Sequence, residues 1–159
     1  MLTQQDLQDH LLYDQLSGVF TRKKTSGGIK AGSLAGCLNQ DGYAVIRIKN
    51  TLHYAHRLAW FYVYGVLPDL QIDHIDGNKS NNCIENLRLA TNQENSQNER
   101  KARNKSRVNL LGVCRKGKKY KAQIKVKGKT INIGYFTNEQ DAHEAYVRAK
   151  RQLHPYGML

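Results

Sequence analysis

Hydrophobic and polar residues alternate with a changing period along this chain, and the period predicts where helices and strands lie. Near the start, Leu7, Leu11 and Leu12 recur at the spacing of one helical face, and Thr3 stands where a cap is expected. This spacing predicts a short helix over residues 3–16.

The stretches that follow are typical of strands. Residues 18–22 and 42–49 are rich in β-branched and aromatic side chains, and residues 52–55 are expected to pair with the second of them. A helix is predicted over residues 56–64, because Gly65 provides its stop.

Two histidines flank the start of this helix. On a functional interpretation, His53 and His56 would be extra metal ligands or phosphate contacts. On a structural interpretation, they are a polar strand end and an ordinary helix-start residue. Motif support for the functional interpretation is weak, so the structural one is favoured.

The C-terminal third repeats a strand pattern and then changes to a helical one. After a strand that starts at Gly112, the next strand alternates between an apolar face and a basic face. The apolar face comprises Tyr120, Ala122, Ile124 and Val126, and the basic face comprises Lys119, Lys121, Gln123, Lys125 and Lys127. Thr137 and Gln140 form a capping box that opens a helix. We therefore expect a three-stranded antiparallel sheet packed on one helix over residues 110–157.

Charge is distributed unevenly along the 159 residues, whose net charge is +12. Residues 96–159 carry 16 basic and 4 acidic side chains, whereas residues 68–95 carry 2 basic and 5 acidic ones. An excess of this size predicts a polyanionic partner, nucleic acid before a membrane.

A basic segment without apolar periodicity joins the two halves of the chain. We expect it to be a linker over residues 100–109, with DNA contacts from Arg100, Lys101, Arg103, Lys105 and Arg107. Charge runs are usually solvated, but a linker between two DNA-binding modules is at least as well placed along a phosphate groove.

The cysteines and the N-terminal residues indicate the cellular compartment in which the protein is expected. Cys37, Cys83 and Cys114 are far apart in the sequence, and the absence of a CxxC pair argues against a zinc knuckle. A scattered, odd set is typical of a reducing cytosol. The polar N-terminal residues and the absence of a long apolar run predict a cytoplasmic protein with neither a signal peptide nor a membrane span.

The stretch that carries chemistry runs from Gln71 to Asn98. Asp73 precedes His74, a polar loop follows, and Thr91 with Glu94 forms a capping box before a helix. The expected order is strand, loop, strand, helix. A carboxylate and an amide oxygen would suit a hard metal ion, and a neutral histidine could take a proton from water. The alternative is that these side chains merely bound a turn and cap a loop.

The sequence DHIDGNKSNNCIENLRLATNQEN resembles the HNH endonuclease motif of phage and intron homing endonucleases. The resemblance implies that Asp73 and Asn95 are metal ligands and that His74 is the general base. It also implies that Asn86 holds the loop and orients the histidine. Many members of the family have histidine where Asn95 stands. The weaker amide ligand makes Mg²⁺ or Mn²⁺ the expected metal rather than Zn²⁺.

The C-terminal module resembles the plant ethylene-response-factor type of DNA-binding domain. The resemblance lies in GVCRKGKKYKAQI, in INIGYF and in the helix EQDAHEAYVRAK. It implies a sheet in the major groove, with DNA contacts from Arg115, Lys116, Lys118, Lys119, Lys121, Gln123 and Lys125.

These resemblances imply an α+β chain in four parts. A β-rich lead-in with a helix (1–67) precedes a ββα-metal nuclease motif (68–99), and the basic linker (100–109) leads to the DNA-binding module (110–157). The function expected from them is that of a site-specific homing endonuclease from a phage or other mobile element, acting on double-stranded DNA in the host cytoplasm. One such centre cuts one strand per encounter, so a monomer should nick and a homodimer could cut both strands. The main alternative is a non-catalytic DNA-binding regulator. A third interpretation, an RNA-binding protein, is supported by the charge alone.

Overall fold

The computed structural model describes residues 2–25, 27–98 and 108–155. The chain divides into two compact units, Met1–Ala90 and Thr91–Leu159. In the described residues, four helices and several small antiparallel sheets confirm the predicted α+β class. The linker residues Arg100, Lys101, Arg103, Lys105 and Arg107 lie outside the described residues, so their predicted DNA contacts stay predictions.

The first unit contains three small sheets and two helices. Its elements are α1 (Gln4–His10), β1 (Leu11–Asp14), β2 (Val19–Arg22), β3 (Cys37–Leu38), β4 (Ala44–Ile48), β5 (Thr51–Tyr54), α2 (Ala55–Tyr64), β6 (Gln71–His74) and β7 (Leu87–Ala90). The pairs β1–β2 and β6–β7 are antiparallel two-stranded sheets, and β3, β4 and β5 form a third sheet in that order. The predicted strand–loop–strand order of the central stretch is confirmed.

The first helix begins as predicted and ends early. Thr3 and Asp6 form a capping box, but α1 stops at His10, and Leu11 already belongs to β1. The helix predicted over residues 3–16 is therefore wrong in its second half. Residues 11–14 pair with β2, and their burial alternates as in a strand, with Leu11 buried and Leu12 55% exposed. Pairing with β2 outweighs the local helical spacing.

The β4–β5 hairpin and α2 agree with the sequence pattern. Lys49 and Asn50 make the turn with φ of 45° and 63°, the left-handed conformation that two-residue hairpin turns use. The helix α2 ends at Gly65, which takes a left-handed φ of 74°. This hairpin and helix bring Tyr54 and His56 next to each other in the fold.

One hydrophobic core holds the first unit together. Leu7 of α1, Ile46 of β4 and Leu58 of α2 belong to the same buried cluster as Ile72 of β6 and Leu87 of β7. Side chains on both sides of the boundary predicted at residue 67 therefore share one core.

The second unit contains α3 (Asn92–Gln97), β8 (Val113–Lys116), β9 (Lys119–Val126), β10 (Lys129–Phe136) and α4 (Glu139–Leu153). The sheet is antiparallel in the order β10, β9, β8. Ala122 and Ile124 of β9 and Tyr146 of α4 share a buried cluster, so one face of the sheet covers the helix as predicted. Gly112 has a φ of 76°, and the ring of Tyr146 occupies the space that a side chain would need there.

Two details of this unit differ from the sequence prediction. The N-cap of α4 is Asn138, whose side chain accepts from the backbone of Asp141, and not Thr137. Lys127, predicted on the basic face, lies in the β9–β10 turn with a φ of 47°. Both differences lie at the ends of β10, and strand pairing determines where those ends are.

Within the described residues, no helix combines the length and the apolar character needed to cross a membrane.

Candidate active site

Asp73 and His74 end the buried strand β6. The β6–β7 register places Asp73 opposite Arg88 and His74 opposite Leu87. Asp73 is 7% exposed and His74 is 4% exposed. A charged and a titratable side chain this deeply buried at a strand end need specific partners, and these come from β7 and from the loop between β6 and β7.

The partner of Asp73 is on the neighbouring strand. Nε and Nη2 of Arg88 both donate to Oδ2 of Asp73, at 3.1 and 2.8 Å. Such a charge-assisted pair compensates for burying the carboxylate in its ionised form, which is also the form that binds a metal. Arg88 cannot be identified as this partner from the sequence, because its pairing with Asp73 depends on the strand register.

The loop between the strands is organised around Asp76. Its Oδ1 accepts from the backbone of Asn78 and from Nδ2 of Asn86, and its Oδ2 accepts from Nδ2 of Asn81. Burial alone would raise the pKa of Asp76, but these hydrogen bonds outweigh it and lower the pKa below its usual range. The loop is therefore held by a charged carboxylate.

Asn86 holds the same loop. Its Oδ1 accepts from the backbone of Asp76 at 3.0 Å, and its Nδ2 also donates to the carbonyl of Asn81 at 2.8 Å. These bonds agree with the loop-holding part of its predicted role. The other part, orienting the histidine, stays a prediction, and the side-chain contact seen at Nε2 of His74 comes from Asn82, at 3.1 Å.

Aromatic rings enclose His74 on another side. The ring of His56 meets it edge to face at 5.1 Å, and the ring of Tyr43 lies 6.1 Å away. Tyr54 stacks on His56 at 5.4 Å, so α2, β5 and the residue that precedes β4 all contribute to this enclosure. His56 is thus not an ordinary helix-start residue, although no ligand or phosphate contact follows from its position.

His56 is buried with no hydrogen-bond partner at Nδ1. Burial lowers the pKa of His56 to about 4, and electrostatic interactions with His74 and Arg57 lower it further. In the unfolded chain the same group titrates near pH 6.5. Between these two values the unfolded state holds the extra proton, so the free energy of unfolding decreases as the pH decreases.

We therefore expect acid to destabilise the protein in a window set by His56. Lowering the pH from about 7 to about 4 should reduce the free energy of unfolding by up to about 3 kcal/mol through this group, at about 1.4 kcal/mol for each pKa unit. Urea unfolding at several pH values would measure the loss. His56→Gln should lack this part of the pH dependence, and identical pH profiles for both proteins would contradict the prediction.

Asn95, the second expected metal ligand, lies on α3 in the second unit. The capping box of Thr91 and Glu94 before it is present as predicted. Across residues 2–25, 27–98 and 108–155, no group of three or more His, Cys, Asp or Glu side chains could hold a metal ion. The predicted donor set differs from such a group, because it consists of one carboxylate and one amide oxygen. It is suited to a hard cation that keeps several waters.

The basic side chains of the second unit divide between the two faces of the sheet. Lys121 is paired with Cys114 on one side and Tyr135 on the other, and Lys125 is paired with Thr130. We call the face of the sheet opposite α4 the outer face. It carries Lys116, Lys119, Lys121, Gln123 and Lys125. Arg115 pairs with Tyr120 and therefore lies on the helix side, and Lys118 lies in the β8–β9 turn.

The residues that sequence reasoning missed at this site are Tyr43, Tyr54, Asn82 and Arg88. Asn82 and Arg88 both stand within the quoted motif, but nothing in the sequence distinguishes Asn82 from Asn81 beside it, and the partner of Arg88 depends on the strand register. Tyr43 and Tyr54 lie outside the motif, and aromatic side chains are too common along the chain to single them out.

Comparisons with known proteins point to one family. Residues 53–97 match the family described as HNH endonuclease. The uncharacterized HNH endonuclease L560 of Acanthamoeba polyphaga mimivirus is 34% identical over 117 residues, which is 73% of this chain and 60% of that protein. Protein 3.8 of Escherichia phage T7 is 32% identical over 104 residues, which is 62% of this chain and 83% of that protein.

A solved structure is also similar over part of its length. It is described as DNA binding and cleavage by the HNH homing endonuclease I-HmuI, and it is 29% identical with a TM-score of 0.43. The similarity covers 56% of this chain and 51% of that one. This chain therefore spans about half of the solved protein and three fifths of the mimivirus protein.

Proposed function

Because residues 53–97 of this chain match the HNH endonuclease family, we propose that it is a site-specific DNA endonuclease of the homing type. The reaction is hydrolysis of a phosphodiester bond with His74 as general base and one Mg²⁺ or Mn²⁺ ion. The observation that carries the proposal is the buried Asp73–His74 pair at the end of β6, next to a loop held by Asn86.

His74 is suited to take a proton from the attacking water. An imidazole has an ordinary pKa near the working pH, which makes it an efficient base when its geometry is fixed. Contacts with Asn82 at 3.1 Å and with the ring of His56 at 5.1 Å fix the ring on two sides. Proton transfer then requires little reorganisation of the side chain.

The metal would be held by Asp73 and Asn95. Oxygen donors of this kind fit Mg²⁺ or Mn²⁺, and the hydrogen bonds from Arg88 to Oδ2 of Asp73 hold this carboxylate in one orientation. When bound, the ion would supply positive charge to stabilise the phosphate and the leaving oxygen. Arg88 would keep Asp73 in place through its two hydrogen bonds.

The C-terminal unit would supply much of the DNA affinity. Three lysines of β9, at positions 119, 121 and 125, share the outer face of its sheet with Gln123 and with Lys116 of β8. Lysines contact phosphates and amides can read base edges, so this face suits a DNA groove. Its use in the manner of the ethylene-response-factor domain, and the state of the protein as monomer or homodimer, are parts of the proposal.

A cleavage assay on supercoiled plasmid tests the proposal directly. Mg²⁺ or Mn²⁺ should support conversion to nicked circles, and EDTA should stop it. The thermal unfolding midpoint should stay unchanged in EDTA, since the folded loop is held by protein hydrogen bonds. Plasmid binding without cleavage in either metal would favour the DNA-binding regulator, and a large loss of stability in EDTA would point to a structural metal.

A further inference from the structure

Asn82 is the most deeply buried polar side chain of the β6–β7 loop, with 3% of its surface exposed. It makes two side-chain contacts: Nδ2 donates to the carbonyl of Ser80 at 3.1 Å, and Oδ1 lies 3.1 Å from Nε2 of His74. The proposed function gives Asn82 no task, so its burial beside the general base needs an explanation.

The contact with Ser80 fixes which way the amide of Asn82 points. A backbone carbonyl only accepts hydrogen bonds, so the NH₂ group must face Ser80 and the oxygen must face His74. An amide oxygen likewise only accepts, which requires the proton of the imidazole to be on Nε2. In the neutral ring the lone pair is then on Nδ1, the nitrogen left to accept a proton.

Asn82 is itself held by the β1–β2 hairpin. The hydroxyl of Tyr13 donates to the carbonyl of Asn82 at 2.6 Å, and the backbone of Ile84 donates to the carbonyl of Gln15 at 3.1 Å. At Gly18, with a φ of 71°, a side chain would collide with the backbone of Asn82 and its neighbour. The hairpin thus contacts this part of the loop at three points.

Tyr13 is a rigid support for this contact. It is 5% exposed, and its ring stacks on Phe20 at 4.6 Å and meets Tyr62 edge to face at 5.6 Å. Burial raises the pKa of Tyr13 above its usual range, so the hydroxyl keeps its proton and remains a donor.

We propose that Asn82 is a positioning residue that holds His74 in the tautomer and orientation needed for proton transfer, and that the β1–β2 hairpin holds Asn82 through Tyr13. The inference rests on the proposed function. It assigns the N-terminal hairpin an indirect part in catalysis, through Tyr13 and Asn82.

The tautomer can be measured without any cleavage. Long-range proton–nitrogen correlation spectra of the ¹⁵N-histidine-labelled full chain, at about pH 8 where an unperturbed histidine is neutral, should show His74 protonated on Nε2. His74→Gln identifies the signal. In Asn82→Leu, which has similar size but no acceptor, a mixture of tautomers is expected. A proton on Nδ1 in the wild type, or an unchanged spectrum in Asn82→Leu, would overturn the inference.

Single-turnover cleavage at saturating protein tests the catalytic part. Asn82→Leu should reduce the rate about 10- to 100-fold, the usual effect of removing the partner that orients a functional histidine, with DNA affinity unchanged. Asn82→Asp loses the donation to Ser80 and adds a negative charge, but it keeps an acceptor toward Nε2, so it should recover most of the rate. Equal rates for Asn82→Leu and the wild type, or equal losses in both variants, would overturn the inference.

Tyr13→Phe removes the hydroxyl and keeps the aromatic packing. It should reduce the rate several-fold alone and have little further effect in Asn82→Leu, because the two changes act through one contact. Tyr62→Phe, in the same aromatic cluster, is the matched control and should cleave at the wild-type rate. Additive losses would overturn the role of the hairpin. Failure of the wild type to cleave would reject both the proposed function and the catalytic role of Asn82. The tautomer spectra would still show whether Asn82 accepts a hydrogen bond from His74.

Discussion

Replacing His74 with alanine should reduce cleavage at least about a hundredfold, the lower range for removing a general base, and leave DNA affinity nearly intact. The ring lies at the end of β6, where Nε2 is 3.1 Å from Asn82 and the ring is 5.1 Å from that of His56, and an alanine side chain in this place has no proton acceptor. Its removal deletes the proton acceptor without removing a positive phosphate-binding group. The loss should therefore appear in the rate at saturating protein.

The measurement is single-turnover cleavage combined with fluorescence anisotropy for binding in EDTA. His53→Ala is a matched control, since His53 lies on β5 of the same unit, paired with Ile46. Circular dichroism and thermal unfolding would check that His74→Ala folds, because the substitution also leaves a cavity. Cleavage by His74→Ala at the wild-type rate would show that the histidine is not the base.

The second large effect is expected from the outer face of the C-terminal sheet. Replacing Lys121 and Lys125 together with alanine should weaken DNA binding and flatten its salt dependence. Each phosphate contact contributes about 0.9 to the slope of log K against log salt, so the loss of two contacts should reduce the slope by about two. The fold should be unaffected, because the core side chains Ala122 and Ile124 point the other way.

Binding would be measured across a salt series. The double replacement of Arg148 and Arg151 with alanine removes the same charge from α4, on the other side of the sheet, and is the matched control. A base contact would leave the slope close to that of the wild type while relaxing specificity. Unchanged affinity and slope in a folded double variant of Lys121 and Lys125 would mean that this face does not bind DNA.

Local pattern predicted most elements, and it failed where two local signals competed. Leu7 and Leu11 have helical spacing, yet only Leu7 is in α1, because Leu11 pairs with Arg22 of β2. Similarly, Thr137 has the sequence of a cap, but Asn138 makes the hydrogen bond, since β10 extends to Phe136. Strand pairing between distant segments decided both boundaries, and periodicity carries no information on which segments pair.

The sequence by itself determined the order of elements around Asp73 and His74, the capping box of Thr91 and Glu94, and the lysine-rich strand β9. These features depend on residues close together in the chain, for which spacing and side-chain type are sufficient. The tertiary structure alone decided what surrounds His74. Asn82 reaches the ring from the loop, His56 from α2, and Tyr13 supports Asn82 across 69 positions of the sequence. The hydrophobic pattern of a strand or helix indicates which of its residues are buried. The partners of a buried residue depend instead on how separate elements pack against each other, and this packing involves the whole core.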